Sequence, residues 1–107
     1  MTETKAWIYL TLAIFTEVAG ITSMKLSLGF TQIKPSIFIF IFYTLSILFL
    51  ILSLKRLEVG FAYAIWSALG TLLIFFVGIF FFQEHLSFIK VISLLSIVVG
   101  VIGLKKI

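Results

Sequence analysis

Four long apolar stretches, each bounded by charged residues, make up most of the chain. They are Ala6–Met24, Ser36–Leu54, Val59–Phe82 and Leu86–Leu104. A helix needs about 20 mainly apolar residues to cross the hydrocarbon core of a bilayer. A membrane β-barrel would need segments of alternating polarity, and the run Ile37–Phe42 does not alternate. The pattern therefore predicts four transmembrane helices joined by short loops, so that neighbouring helices run antiparallel.

The composition agrees with an all-α integral membrane protein. Of the 107 residues, 63% are hydrophobic and only 11% are charged, whereas a soluble domain carries roughly 25% charged residues. This excludes a soluble enzyme, a disordered chain and a nucleic-acid binder. The net charge of +4 is attributed to loop residues at the lipid headgroups. We expect one domain over residues 1–107 and no soluble catalytic module.

The distribution of Lys and Arg gives only a weak orienting signal. An even number of spans places both termini on one side of the membrane. Together with the second loop, this side carries five basic residues, and the first and third loops carry the other three of the eight. Basic residues favour the cytoplasmic side. The count leaves two possibilities open, which are termini fixed in the cytoplasm and insertion in both orientations.

Glu17 is the one charged residue in the central part of a predicted span. A charge at the bilayer centre costs roughly 2.5–3.5 kcal/mol on insertion scales, so such residues usually mark a function. The carboxyl group could hold a proton or exchange it for a cation. The alternative is a protonated acid that is hydrogen-bonded to a neighbouring helix. On the same helix face, Ala13 and Gly20 leave room for a ligand or for a close helix crossing.

Aromatic and hydroxyl residues on two other spans could complete a binding site around this acid. Tyr43 and Ser46 share one helix face, and Tyr63 and Trp66 share another at the same spacing. Trp66 lies deeper in its span than an interfacial belt of aromatic residues requires. Aromatic faces attract cations where water is excluded. Together with Glu17, these residues predict a binding site with aromatic walls for a hydrophobic cation. The alternative is that the aromatic side chains only pack against one another.

Small residues suggest two further elements. Gly70 interrupts the bulky third span and is a candidate hinge. In the fourth span, small residues recur at i, i+3, i+7 and i+10, a pattern that suits helix–helix association; they are Ser93, Ser96, Gly100 and Gly103. We interpret this seam as a dimerisation element, with packing inside the subunit as the alternative. The chain has no Cys and one His, and we expect neither a metal site nor a cofactor.

Four helices leave little room for a central pathway, so a dimer is expected. An antiparallel homodimer would bring two Glu17 side chains towards one chamber. It would also supply the inverted repeat on which many secondary transporters are built.

Several motifs, in order and at matching separations, resemble the small multidrug resistance family of bacterial exporters over nearly the whole chain. They are Glu17–Gly20 with Met24–Lys25, Gly29–Thr31 with Pro35–Ser36, and above all Gly60–Ser67. The resemblance implies a four-helix subunit whose first three helices form a substrate chamber and whose fourth makes the dimer contact. It also implies a multi-pass protein of the bacterial inner membrane.

The resemblance assigns roles to particular residues. The essential membrane glutamate of the family corresponds to Glu17, its substrate-lining aromatics to Tyr43, Tyr63 and Trp66, and its chamber hydroxyl to Ser46. It implies proton antiport by alternating access, in which the two glutamates of a dimer bind either protons or a cationic substrate. Guanidinium exporters of the family carry Trp at the position of Gly20. The glycine therefore implies export of quaternary ammonium and other lipophilic cations.

Other functions remain open at this point. The chain departs from the usual family pattern at Ile21, Gln32, Ala68 and Ser93. Glu84, after the third span, is similar to a feature of polyamine-exporting and paired-subunit members. A guanidinium or polyamine exporter and a partnership with a sister chain are therefore alternatives. A non-transporting subunit, or a subunit of a lipid-carrier flippase, is a further alternative that would not need Glu17.

Overall fold

The computed structural model describes residues 2–106 and contains four α-helices. They are α1 (Glu3–Leu26), α2 (Ile33–Ser53), α3 (Val59–Phe81) and α4 (Phe88–Lys106). Met1 and Ile107, the two ends of the expected domain, lie outside the described residues, and only the backbone of Lys105 and Lys106 is described. No strand occurs between residues 2 and 106. The all-α fold expected from the sequence is confirmed.

The helix ends depend on capping groups rather than on the limits of the apolar stretches. α1 begins at Glu3, before the first apolar stretch, because Thr2 Oγ1 accepts a hydrogen bond from the Lys5 N–H at 3.2 Å. α4 begins only at Phe88, where Ser87 Oγ accepts from the Lys90 N–H at 3.2 Å. The apolar pattern thus predicts the part of each helix that suits a membrane, and polar groups set its ends.

Within residues 2–106, three helices are long and apolar enough to cross a membrane, namely α1, α2 and α3. The apolar part of α4, Phe88–Leu104, is shorter. At a rise of 1.5 Å per residue it extends for about 25 Å, somewhat less than the ~30 Å hydrocarbon core. Flanking side chains or local thinning of the bilayer can accommodate such a difference at modest cost.

α1 is the central helix of the subunit. It packs against both α2 and α3, and the main contacts of α4 are with α3. A small core joins α1 to α3 and consists of Leu10, Ala13, Ile14 and Trp66. The Cα atoms occupy only 42 × 34 × 17 Å, so most large apolar side chains remain exposed. In a membrane these side chains contact lipid tails, which are as apolar as leucine itself.

Candidate functional site

Glu17 lies in the wall of an open cleft of about 310 Å³. α1 and α3 form most of the cleft, and Tyr43 comes from α2. The lining residues are Glu17, Ile21, Tyr43, Tyr63, Trp66, Ser67, Gly70, Thr71 and Ile74. Four of the residues that the sequence pointed to, Glu17, Tyr43, Tyr63 and Trp66, are therefore brought together here.

Gly70 makes room for the carboxyl group of Glu17. A Cβ atom at position 70 would overlap Glu17 Oε1 and would lie 3.0 Å from its Cδ. The glutamate can lie flat against α3 only because position 70 has no side chain. The sequence suggested a hinge at Gly70, and in the structure α3 continues as α-helix through this residue. The contact with Glu17 is a packing role that the sequence did not reveal.

The carboxyl group of Glu17 has no protein partner among residues 2–106. Its side chain is only 8% exposed, yet no hydrogen bond or ion pair connects it to another described residue. Its oxygen atoms are not sealed off, because the described residues include no fully buried side-chain oxygen without a partner. The cleft is therefore the place where the carboxyl group can find a partner. The described contacts do not include the hydrogen bond to a neighbouring helix that the sequence left open as an alternative.

A chain of two hydrogen bonds fixes Trp66 beside the glutamate. The indole Nε1–H donates to Ser46 Oγ at 3.2 Å, and the Ser46 hydroxyl donates to the Ala13 carbonyl at 2.7 Å. These bonds tie α3 to α2 and α2 to α1. They hold the indole ring in one orientation at the side of the cleft.

Three of the predicted lining residues, Ser46, Ala13 and Gly20, are not among the residues that line this cleft of the subunit. Ser46 and Ala13 are fully buried behind Trp66, where they hold the indole in place. A Cβ atom on Gly20 would lie 3.4 Å from the backbone nitrogen of Tyr43. Gly20 thus marks the close crossing of α1 and α2, which was one of the two interpretations that the sequence allowed.

Tyr63 and Trp66 place aromatic surface next to the acid. Their ring centroids are 5.6 Å apart, with the planes inclined at 45°. Trp66 is 8% exposed and Tyr63 is 58% exposed, so the tyrosine ring offers the larger free face. An aromatic face beside a carboxylate attracts a cation by two additive effects, the ring quadrupole and the charge.

Ser67 and Thr71 line the cleft, although the sequence did not predict either as a lining residue and included Ser67 only as the last residue of the Gly60–Ser67 motif. They lie on the same face of α3 as Tyr63, at intervals of four residues, so helical periodicity could have revealed them. The Thr71 hydroxyl donates to the Ser67 carbonyl at 2.7 Å. These two residues add polar surface to an otherwise apolar wall.

The small residues of α4 face away from the rest of the subunit. Ser93, Ser96, Gly100 and Gly103 are all exposed, and a Cβ atom on either glycine would meet nothing within 4 Å. The opposite side of α4 faces α3, where the half-buried Val98 and Val101 line a small cavity together with residues of α3. Packing inside the subunit, the alternative for this seam, is therefore not what the described residues show.

The hydrogen bonds of Ser46 lead to a prediction about stability. We expect Ser46→Ala to lower the stability of the folded protein by about 1–2 kcal/mol, since it leaves the buried Trp66 N–H without an acceptor. Thr44→Val is the matched control, because it removes a hydroxyl from the exposed face of the same helix. Thermal unfolding in detergent, followed by circular dichroism, measures both. Equal unfolding temperatures for the two variants would show that the chain of hydrogen bonds contributes nothing.

A family model described as Small Multidrug Resistance protein matches residues 5–97. The chain belongs to the small multidrug resistance family. The match includes the whole cleft and all of α2 and α3, so the site described above lies inside the region that defines this family.

Three relatives in the small multidrug resistance family illustrate the similarity. The uncharacterized membrane protein YvaE of Bacillus subtilis (strain 168) is 52% identical over 101 residues, 94% of this chain and 85% of YvaE. The quaternary ammonium compound-resistance protein QacF of Klebsiella aerogenes is 40% identical over 97 residues, 91% of this chain and 88% of QacF. The multidrug resistance protein EbrB of Bacillus subtilis (strain 168) is 40% identical over 99 residues, 92% of this chain and 85% of EbrB.

Proposed function

We propose that this protein is a proton-coupled antiporter that exports quaternary ammonium and other hydrophobic cations. One observation carries the proposal: a carboxyl group without a protein partner faces an open cleft with aromatic walls. Membership in the small multidrug resistance family supports a multidrug efflux transporter. The names of QacF and EbrB refer to resistance to quaternary ammonium compounds and to multiple drugs. The same findings favour transport over catalysis.

In the proposed mechanism, protons and substrate compete for Glu17. A charged carboxylate is costly inside a membrane, and either a proton or a bound cation removes its net charge. A lipophilic cation would pair with the carboxylate and lie against the faces of Tyr63 and Trp66. The subunit would alternate between two states, in which the cleft opens to one side of the membrane or to the other. It would change from one state to the other only while a proton or a cation neutralises Glu17. Exchange of one occupant for the other then couples the proton gradient to export.

We also propose that the working unit is an antiparallel dimer in the bacterial inner membrane. The exposed seam on α4 supports a helix–helix contact with a second copy, because small residues let two backbones approach closely. Two oppositely oriented copies would provide the inverted pair on which alternating access is often built. The weak bias in basic residues permits this dual orientation. A sister chain in place of the second copy remains the alternative.

The packing of Gly20 favours a broad cation specificity over guanidinium export. An added Cβ atom would already meet the backbone and ring of Tyr43 at 3.4–3.5 Å, so an indole at this position would require Tyr43 to move. Glycine lets α2 stay close to α1 and keeps the Tyr43 ring at the cleft. A non-transporting subunit or a subunit of a lipid-carrier flippase would have no use for an unpartnered acid in a cleft.

Proton release upon cation binding tests this proposal. We expect benzyltriethylammonium, added to the purified protein in weakly buffered detergent, to displace protons into solution. Its apparent affinity should fall as the pH is lowered, because more protons then compete for the same carboxyl group. Glu58→Gln is the matched control, since Glu58 is exposed and lies outside the cleft. Binding without proton release, or binding that does not depend on pH, would contradict the competition.

A further inference from the structure

An apolar groove runs between α3 and α4, on the side of α4 opposite the seam of small residues. Its larger part is a cavity of about 300 Å³ that begins at the α3–α4 loop. A second cavity, of about 160 Å³, lies further along the two helices. Leu72 lines both cavities, so they are neighbouring parts of one groove, the α3–α4 groove. Its lining residues on α4 and the loop are Leu86, Val91, Leu94, Leu95, Val98, Val101 and Ile102.

The α3–α4 groove has the length and the polarity that suit the acyl chain of a lipid. On α4 its lining extends over the eleven positions from Val91 to Ile102, which is about 16 Å at the rise of an α-helix. The hydrocarbon core of a bilayer is ~30 Å thick, so the groove has about the depth of one leaflet. Every lining residue is Leu, Ile, Val, Phe or Ala. The groove is also open, because Phe76, Phe80 and Leu95 along it are exposed.

A lysine lies at the loop end of the α3–α4 groove. Lys90 is adjacent to Val91 and four residues before Leu94, so it shares the groove face of α4. Its Nζ donates to the carbonyl of His85, the neighbour of the lining residue Leu86. An ammonium group has three N–H donors, and among residues 2–106 no ion pair joins Lys90 to an acid. Two of its donors are therefore available to an anion.

The loop end of the groove favours negative charge. The first N–H groups of a helix have no partner within the helix and carry a partial positive charge. α4 begins at Phe88 with no acidic residue in its first turn, where Lys90 adds a full positive charge. Glu84, the acid nearest in sequence, lies against Gly78 at the cavity that borders α1. An anion at the groove would thus be attracted by the helix end and by the lysine, and both would repel a lipophilic cation.

We propose that the α3–α4 groove binds an anionic phospholipid. The acyl chain lies against the apolar residues of α3 and α4, and the headgroup phosphate accepts hydrogen bonds from the Lys90 ammonium group. The positive charge at the loop end favours phosphatidylglycerol over phosphatidylcholine, whose headgroup carries a quaternary ammonium group. Since the main contacts of α4 are with α3, a lipid chain in the groove would fill the space between these helices and hold them together. The site does not include Glu17, so the inference is independent of the proposed function.

Native mass spectrometry of the full chain, released from detergent that contains either phosphatidylglycerol or phosphatidylcholine, measures the affinity for each lipid. The two lipids carry the same acyl chains. We expect phosphatidylglycerol to bind more tightly. Lys90→Gln should weaken its binding about fivefold, the effect of one basic residue near anionic headgroups, and should leave the affinity for phosphatidylcholine within twofold. Lys34→Gln is the matched control, because Lys34 is exposed in the first turn of α2, at the same end of the subunit, and does not line the groove.

A second variant tests the groove itself. Leu95→Trp should lose most of the binding of phosphatidylglycerol, because the larger side chain occupies the space in which the acyl chain lies. Leu48→Trp is the matched control, since it makes the same substitution at an exposed position of α2 outside the groove. Circular dichroism checks that both variants are folded.

Weaker binding of phosphatidylglycerol in both Lys90→Gln and Leu95→Trp, with both controls unchanged, is the result that we expect. Binding that is unchanged in Lys90→Gln, or weakened equally in Lys34→Gln, would show that Lys90 contacts headgroups only as any interfacial lysine does, and would overturn the site. Binding that is unchanged in folded Leu95→Trp would place the lipid elsewhere and would also overturn it. A change of oligomeric state in Leu95→Trp, visible in the same spectra, would show that a second copy of the chain occupies the groove instead of a lipid.

Discussion

The Glu17→Gln variant should fold normally and lose all proton-coupled transport of quaternary ammonium. Glutamine has nearly the shape of glutamic acid but neither takes up nor releases a proton. No described hydrogen bond is lost in this variant, because the carboxyl group has no protein partner among residues 2–106. Removing a desolvated charge that pairs with a bound cation costs roughly 2–5 kcal/mol of binding free energy. Cation binding and proton release should therefore both disappear.

Uptake of a labelled quaternary ammonium compound into proteoliposomes with an imposed pH gradient measures this effect. Glu58→Gln, the same change at an exposed loop position, should transport like the unmodified protein. Circular dichroism and the elution volume on gel filtration check that the inactive variant is folded. Coupled transport that persists in folded Glu17→Gln would disprove the assigned role of this residue.

The Gly70→Ala variant should bind cations at least tenfold more weakly, which corresponds to a loss of roughly 1.4 kcal/mol of binding free energy. Its folded state should be no less stable than that of the unmodified protein. The added methyl group would overlap Glu17 Oε1, so the carboxyl group must leave its position against α3. The collision involves only the end of a flexible side chain, and alanine favours a helix over glycine by roughly 1 kcal/mol. A more stable protein with a weaker site is therefore expected.

For Gly70→Ala, titration calorimetry with benzyltriethylammonium measures the cation affinity, and thermal unfolding measures the stability of the folded protein. Gly60→Ala carries the same substitution on the same helix with nothing within 4 Å of the new methyl group, and it should bind as the unmodified protein does. The experiment also separates two roles for Gly70. A hinge would leave equilibrium binding intact and slow only transport, whereas the contact with Glu17 requires that binding itself falls.

The sequence predicted those parts of the site that depend on a single helix. The apolar stretches indicated the four helices, and the isolated charge pointed to Glu17. A spacing of three residues placed Tyr63 and Trp66 on one face. Each of these inferences needs only the polarity of a segment and the period of a helix. In the structure, these residues line the cleft.

What depends on the register between helices could not be predicted. Every apolar helix face can contact lipid as well as it can contact another helix. The hydrophobic pattern therefore does not show which helix faces pack together. For this reason the sequence did not show that Gly70 lies against Glu17, or that Ser46 lies behind Trp66 rather than in the cleft. Nor could it decide whether Gly20 makes space for a ligand or for α2. The α4 seam could be recognised from the sequence, because a line of small residues on one helix face indicates a helix–helix contact without identifying the other helix.

The most direct test of the central claim is the current that substrates induce in proteoliposomes containing this chain alone. A quaternary ammonium compound, guanidinium and a polyamine are compared, each with the unmodified protein and with Glu17→Gln. Proton-coupled export of hydrophobic cations by a homodimer predicts a current for the quaternary ammonium compound that is absent in Glu17→Gln. No current for this compound from well-folded protein, or a current for guanidinium alone, would contradict it.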